Sequence, residues 1–148
     1  MEIELYEIRA LDEFRKEIER LTKKKRFFSL PAQIGELFEK FKRGQIEGDR
    51  IKHIETPVAC DVYKLRLPNS DAKVGKSNGY RVIYLVVTEA KIIVFMVLYY
   101  KKEYASVPDD YIDGLIDGCL LSLAPEDRQD MQDYSSSKES TAPGEQPA

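Results

Sequence analysis

Two cations, Lys64 and Arg66, stand two residues apart and open a basic run. From Lys64 to Lys102 the chain holds eight bases against two acids, Asp71 and Glu89. Arg81 follows a polar loop that carries Lys73 and Lys76. Tyr99, Tyr100, Lys101 and Lys102 close the run, with Tyr104 just beyond. On a strand, cations spaced at two point to the same side. Such a group can hold backbone phosphates, and neighbouring tyrosines can stack on unpaired bases, so the pattern suits RNA. A cleavage step is then open to side chains alone. The RNA 2′-hydroxyl attacks its own adjacent phosphate, and arginine or lysine stabilises the charge that builds on phosphorus. Crowding of cations lowers the pKa of a lysine toward neutrality and makes it a possible proton acceptor. By count alone the plainer reading is favoured, in which strand-edge charges keep the sheet soluble.

The rest of the composition narrows the field. The chain has 148 residues, 43% hydrophobic and 33% charged, which is a globular composition. Two cysteines, Cys60 and Cys119, are too few for a disulfide framework or a four-cysteine zinc site. The single histidine, His53, excludes any site that needs two and is read as a solvated loop residue. No metal or cofactor is expected. The longest apolar stretch, Ile92 to Tyr100, is nine residues and too short to cross a bilayer. The first ten residues lack the basic-then-apolar order of a secretion signal, so a cytoplasmic location is expected. Charge is unevenly placed. Residues 125 to 148 hold six acids against two bases, and Glu103 to Asp117 holds five acids and no base.

These side chains need elements to position them. Ile3, Leu5 and Ile8 mark a first strand over residues 2 to 9. Asp12 can cap a helix whose stripe is Leu11, Phe14, Ile18 and Leu21 and whose end is the basic run Lys23 to Arg26. Ser29 and Pro31 start a second helix with Ile34, Leu37, Phe38 and Phe41 on one face and Gly44 as its stop. The two helices form an antiparallel hairpin, with Phe27 and Phe28 packed at its bend. From Asp61 the period becomes two. Tyr63, Leu65 and Leu67 take one face, Lys64 and Arg66 the other. Tyr80 to Thr88 and Lys91 to Tyr100 are further strands joined tightly at Glu89-Ala90, which predicts an antiparallel meander. Pro108, Asp109 and Asp110 start a last helix. The order is β-α-α-β-β-β-α, an α+β fold with the helices on one face of the sheet. The expected units are a domain over 1–124 and an acidic, disordered tail over 125–148.

The stretch VYKLRLPNSDAKVGKSNGYRVIYLVV, followed by IIVFMVLYYKKEY, resembles the RelE/ParE toxin superfamily of bacterial toxin–antitoxin systems, and within it the RelE and HigB type. The similarity rests on the K-x-R strand, the loop ending GKSNGYRVIY and the aromatic-lysine close of the last strand, over residues 61 to 104. The resemblance implies a metal-independent, ribosome-dependent endoribonuclease that cuts mRNA and is held inactive by a cognate antitoxin. It implies that Lys64 and Arg66 hold phosphate and accept the 2′-hydroxyl proton, and that Arg81 binds the scissile phosphate. Lys102 stands where many members carry an arginine that assists the leaving group. Tyr100 or Tyr104 would position the nucleotide, and Lys73, Lys76 and Lys101 would add RNA contacts. Two other readings stay open at this point. One is a non-catalytic, gyrase-binding toxin of the ParE kind, and the other is a degenerate member that acts only by protein binding.

Overall fold

A computed structural model describes residues 5–57 and 59–123. The tail expected over 125–148 and Ile3 of the first strand lie outside the described residues. The chain runs β1 (Glu7–Ala10), α1 (Asp12–Lys23), α2 (Leu30–Lys42), β2 (Asp49–Arg50), β3 (Cys60–Leu67), β4 (Tyr80–Val87), β5 (Ile92–Tyr100) and α3 (Asp109–Ser122). The fold is α+β. One five-stranded sheet has the order β1-β5-β4-β3-β2. The meander of β3, β4 and β5 is antiparallel, as the tight join at Glu89-Ala90 predicts. β1 is shorter than the sequence pattern indicates and pairs parallel to β5, from Glu7 opposite Ile92 to Ala10 opposite Phe95. β2 is two residues long and follows a segment with no strand period, which is why alternation does not reveal it.

The helices do not share one face of the sheet. The α1–α2 hairpin buries Phe14, Leu21, Leu30, Ile34 and Phe41 against Tyr80, Tyr84, Phe95 and Tyr100. α3 lies on the opposite face and buries Ile112, Ile116, Cys119 and Leu120 against Ile83, Leu85, Val94 and Val97. Every residue of β4 and β5 is therefore buried, as expected for strands covered on both sides. Hydrophobic runs without alternation cannot say which face a third helix takes.

Local chemistry sets the helix ends. Leu11 precedes α1 with no side-chain cap, so Asp12 and Glu13 act on the helix dipole from within the first turn. Ser29 precedes α2, and its backbone N–H and hydroxyl both donate to Asp71, each at 3.0 Å. Gln33 Nε2 donates to the Pro68 carbonyl at 2.9 Å. These bonds tie the 68–79 loop to the hairpin. Phe27 packs at the bend, but Phe28 is exposed with the Arg26 guanidinium over its ring. Gly44 ends α2 with a positive φ of 86°.

The basic cluster depends most on a bulge in β5. Ile83 pairs with Val97 and Tyr84 with Phe95, so Met96 is the extra residue. Met96 and Val97 consequently both join the α3-side core, and the side-chain alternation of β5 is inverted beyond that point.

Candidate nucleic-acid interface

The register builds one row across three strands. Arg66 is opposite Arg81, and Arg81 is opposite Tyr99. Directly opposed residues of an antiparallel pair project to the same side. Lys64, two residues from Arg66, is opposite Ile83, which belongs to the α3-side core. The row therefore occupies the face that α3 covers only in part. Lys101 opens the turn after β5, near enough for its charge to act on Lys64.

Electrostatics follow from this crowding. Lys64 is half-buried, and its ammonium is held below the ordinary lysine range by burial first, then by the charges of Arg81, Arg66 and Lys101. The carboxylate of Asp109 opposes that shift. Burial, and then the Arg66 charge, lowers the pKa of Arg81. Tyr99 is buried and its phenol is raised by that burial, with Arg81 pulling the other way.

Arg81 is 5% exposed and deeply engaged. Its Nη1 donates to the carbonyls of Lys76 at 2.8 Å and Tyr80 at 3.2 Å, and its Nη2 donates to Ser77 at 2.9 Å. A guanidinium has five N–H donors, so two remain for a ligand. Arg81 thus shapes the 3-10 turn Lys76–Asn78 and charges the row at the same time. Gly79 closes this loop against β3. A Cβ there would lie 2.0 Å from the Leu67 carbonyl oxygen.

The other expected site residues distribute unevenly. Lys73 and Lys76 are exposed on the loop, and Lys73 has a positive φ of 60°. Lys102 is exposed in the turn after β5, whereas Lys101 is the cation whose charge acts on Lys64. Tyr100 corrects the sequence expectation. It faces the α1–α2 hairpin, buried with its ring centroid 5.1 Å from Phe27 and 5.8 Å from Tyr80. The bulge at Met96 is the reason, because it hands the basic face to Tyr99. Tyr104 is 57% exposed and lines a cleft beside Tyr99. The turn between them is anchored by Glu103, which pairs with Arg20 at 2.5 Å and Lys25 at 3.4 Å. The basic end of α1 thus holds the segment that carries Lys101 and Tyr104.

His53 is an exposed loop residue, as read from the sequence, and it has a partner. Its Nε2 lies 3.2 Å from Asp109 Oδ1 and 3.1 Å from Oδ2, at the start of α3. The two residues are 56 positions apart, so no local spacing announces the pair. Asp109 joins this pair to the cluster through its effect on Lys64.

No protein-family model and no curated protein matches the sequence. Among solved structures, the chain is similar to a double arginine-to-alanine mutant of the Escherichia coli toxin RelE in its free state, with 19% identity, 68% of this chain and 88% of that chain covered, and a TM-score of 0.44. It is similar to the isolated E. coli RelE toxin, with 20% identity over 74% of this chain and 95% of that chain, at a TM-score of 0.41. A third similarity is to the archaeal RelE–RelB complex of Pyrococcus horikoshii, with 22% identity over 66% of this chain and 96% of that chain, at a TM-score of 0.38. Among the described residues, no helix is long and apolar enough to cross a membrane.

Proposed function

We propose that this chain is the toxin of a type II toxin–antitoxin system and cleaves mRNA on the ribosome by side-chain chemistry alone. The observation that carries the reading is the register of Arg66, Arg81 and Tyr99 across three strands, with Lys64 beside them on the same face. The resemblance of residues 61 to 104 to the RelE and HigB type supports it from the sequence side.

The row accounts for each stage of a transesterification. Arg66 and the free donors of Arg81 hold the scissile phosphate. Lys64 in its neutral form takes the proton of the 2′-hydroxyl, and the oxygen forms a bond to phosphorus. Arg66 and Arg81 stabilise the charge of the phosphorane. The bond from phosphorus to the 5′-oxygen then breaks. Lys101, whose charge acts on Lys64, gives that oxygen its proton, in place of the Lys102 role implied by the resemblance. The products are a 2′,3′-cyclic phosphate and a 5′-hydroxyl. In this reading a cognate antitoxin holds the chain inactive in the cytoplasm.

The test is primer extension on a translated mRNA with purified protein and ribosomes, wild type beside Arg66→Ala. Arg66 is exposed, so its removal leaves the fold intact. Cleavage within codons that requires ribosomes and is lost in the variant is the expected result. A folded wild-type protein that cuts nothing refutes the reading, and a supercoiling assay with gyrase is then the next measurement.

A further inference from the structure

Beside the basic row lies a cleft of about 420 Å³ between α1, the end of β5 and the start of α3. Its apolar wall includes Met96, its lip carries Tyr104 and Tyr111, and its acidic side carries Glu13 and Glu17. Tyr104 and Tyr111 are 57% and 47% exposed, large rings left in water at the mouth of a concave surface. Tyr99 lines the cleft and also ends the cross-strand row that holds Arg66 and Arg81. From Arg66 to Tyr99 is two strand spacings, about 10 Å. That is close enough for one strand to place a phosphate on the row and a base in the cleft.

The two carboxylates are not equivalent. Glu17 is committed to Arg20, which reaches it through Nε at 3.0 Å and Nη2 at 2.7 Å. Glu13 receives the hydroxyl proton of Tyr111 and keeps further acceptor lone pairs. An exposed carboxylate bonded to Tyr111, in a cleft that Tyr104 also lines, asks for a flat ligand with donors on its edge. Among the bases, guanine alone offers two parallel donors, N1–H and the 2-amino group. Adenine, cytosine and uracil each set a ring or carbonyl acceptor beside their donor, which a carboxylate repels.

We propose that this cleft is a base pocket that selects guanine, read by Glu13 and stacked by Tyr104 or Tyr111, next to the phosphate-holding row. The proposal rests on the RNA reading of that row and adds the base it prefers.

The test is fluorescence anisotropy with short uridine oligomers carrying one central guanosine, adenosine or cytidine, beside the all-uridine oligomer. The guanosine oligomer is expected to bind about tenfold more tightly than the others, the scale of bidentate base recognition. Glu13→Gln, checked for folding by circular dichroism, is expected to erase that preference, because the amide puts a donor against a donor. The ring resonances of Tyr104 and Tyr111 are expected to shift with the guanosine oligomer and not with the all-uridine one. Equal affinity for all four oligomers, or a preference that survives Glu13→Gln, overturns the guanine pocket and leaves the RNA reading standing. Failure of every oligomer to bind overturns the guanine pocket, while cleavage on the ribosome stands or falls by primer extension. An arginine-bearing peptide that moves the same resonances when guanosine does not overturns the pocket in favour of protein docking.

Discussion

Replacing Arg81 with methionine separates its two duties. The guanidinium makes three hydrogen bonds to the carbonyls of Lys76, Ser77 and Tyr80. Hydrogen bonds from a charged group contribute about 1.5–3 kcal/mol each, so three set an upper bound of roughly 5–9 kcal/mol. Lys76 and Ser77 are exposed, so water can take over two of the carbonyls. Relief of the repulsion with Arg66 offsets a further part. About 3 kcal/mol of destabilisation remains, which lowers the melting temperature by roughly 10 °C in a domain of this size. Arg66→Ala, at an exposed position, is expected to stay within about 0.5 kcal/mol of wild type. Urea denaturation and calorimetry on the two variants read this difference directly. Hydrogen exchange at residues 76–79 should accelerate in Arg81→Met only. An Arg81→Met protein as stable as Arg66→Ala would refute the clamp, and its loss of activity would then report phosphate binding alone.

Lys64→Arg keeps the charge but cannot release a proton near neutrality. Wild-type cleavage should rise with pH as Lys64 deprotonates, and the variant should be about 100-fold slower with that rise absent, as a pH–rate profile would read. Burial disfavours the Glu103 carboxylate, yet the hydrogen bonds and charges of Arg20 and Lys25 outweigh it and hold its pKa below the usual range. The stability this contributes is present above the unfolded pKa and is lost as pH falls through the lower folded one. Glu103→Gln should therefore cost about 1 kcal/mol near neutrality, shrinking below about pH 4, in denaturation curves taken across pH. Gly79→Ala forces a Cβ onto the Leu67 carbonyl, and urea unfolding should show a loss of roughly 3 kcal/mol.

What the sequence reveals depends on the range over which each signal acts. Tyr63, Leu65 and Leu67 alternate with Lys64 and Arg66, so the facing of that strand is legible residue by residue. Pro31 after Ser29 marks the start of α2 to within a residue. The side of α3 is not legible, because β4 and β5 are apolar on both faces. The identity of the tyrosine beside Arg81 is not legible either. It turns on one unpaired residue, Met96, and a bulge in a uniformly hydrophobic strand leaves no mark in composition. The pairing of His53 with Asp109 depends on tertiary placement alone. Lys23 to Arg26 read as a helix-end feature, yet Lys25 and Arg20 together secure Glu103 far along the chain.

The parallel pairing of β1 with β5 has a consequence for synthesis. A chain emerges from its amino end, and β1 has its sheet neighbour only at Ile92 to Phe95. The apolar stripes of α1 and α2 likewise settle in large part on Tyr80, Tyr84, Phe95 and Tyr100. The amino-terminal half therefore has only the contact of α1 with α2, such as Phe14 on Phe38, to cover Phe14, Leu21 and Phe41 until β4 and β5 are made, and the long sequence separation makes that closure slow. Arg66, Arg81 and Tyr99 come into line in the same event. A partly made chain has no assembled row of cations, and a truncation anywhere before β5 removes the amino-terminal half from the fold as well as the strand itself.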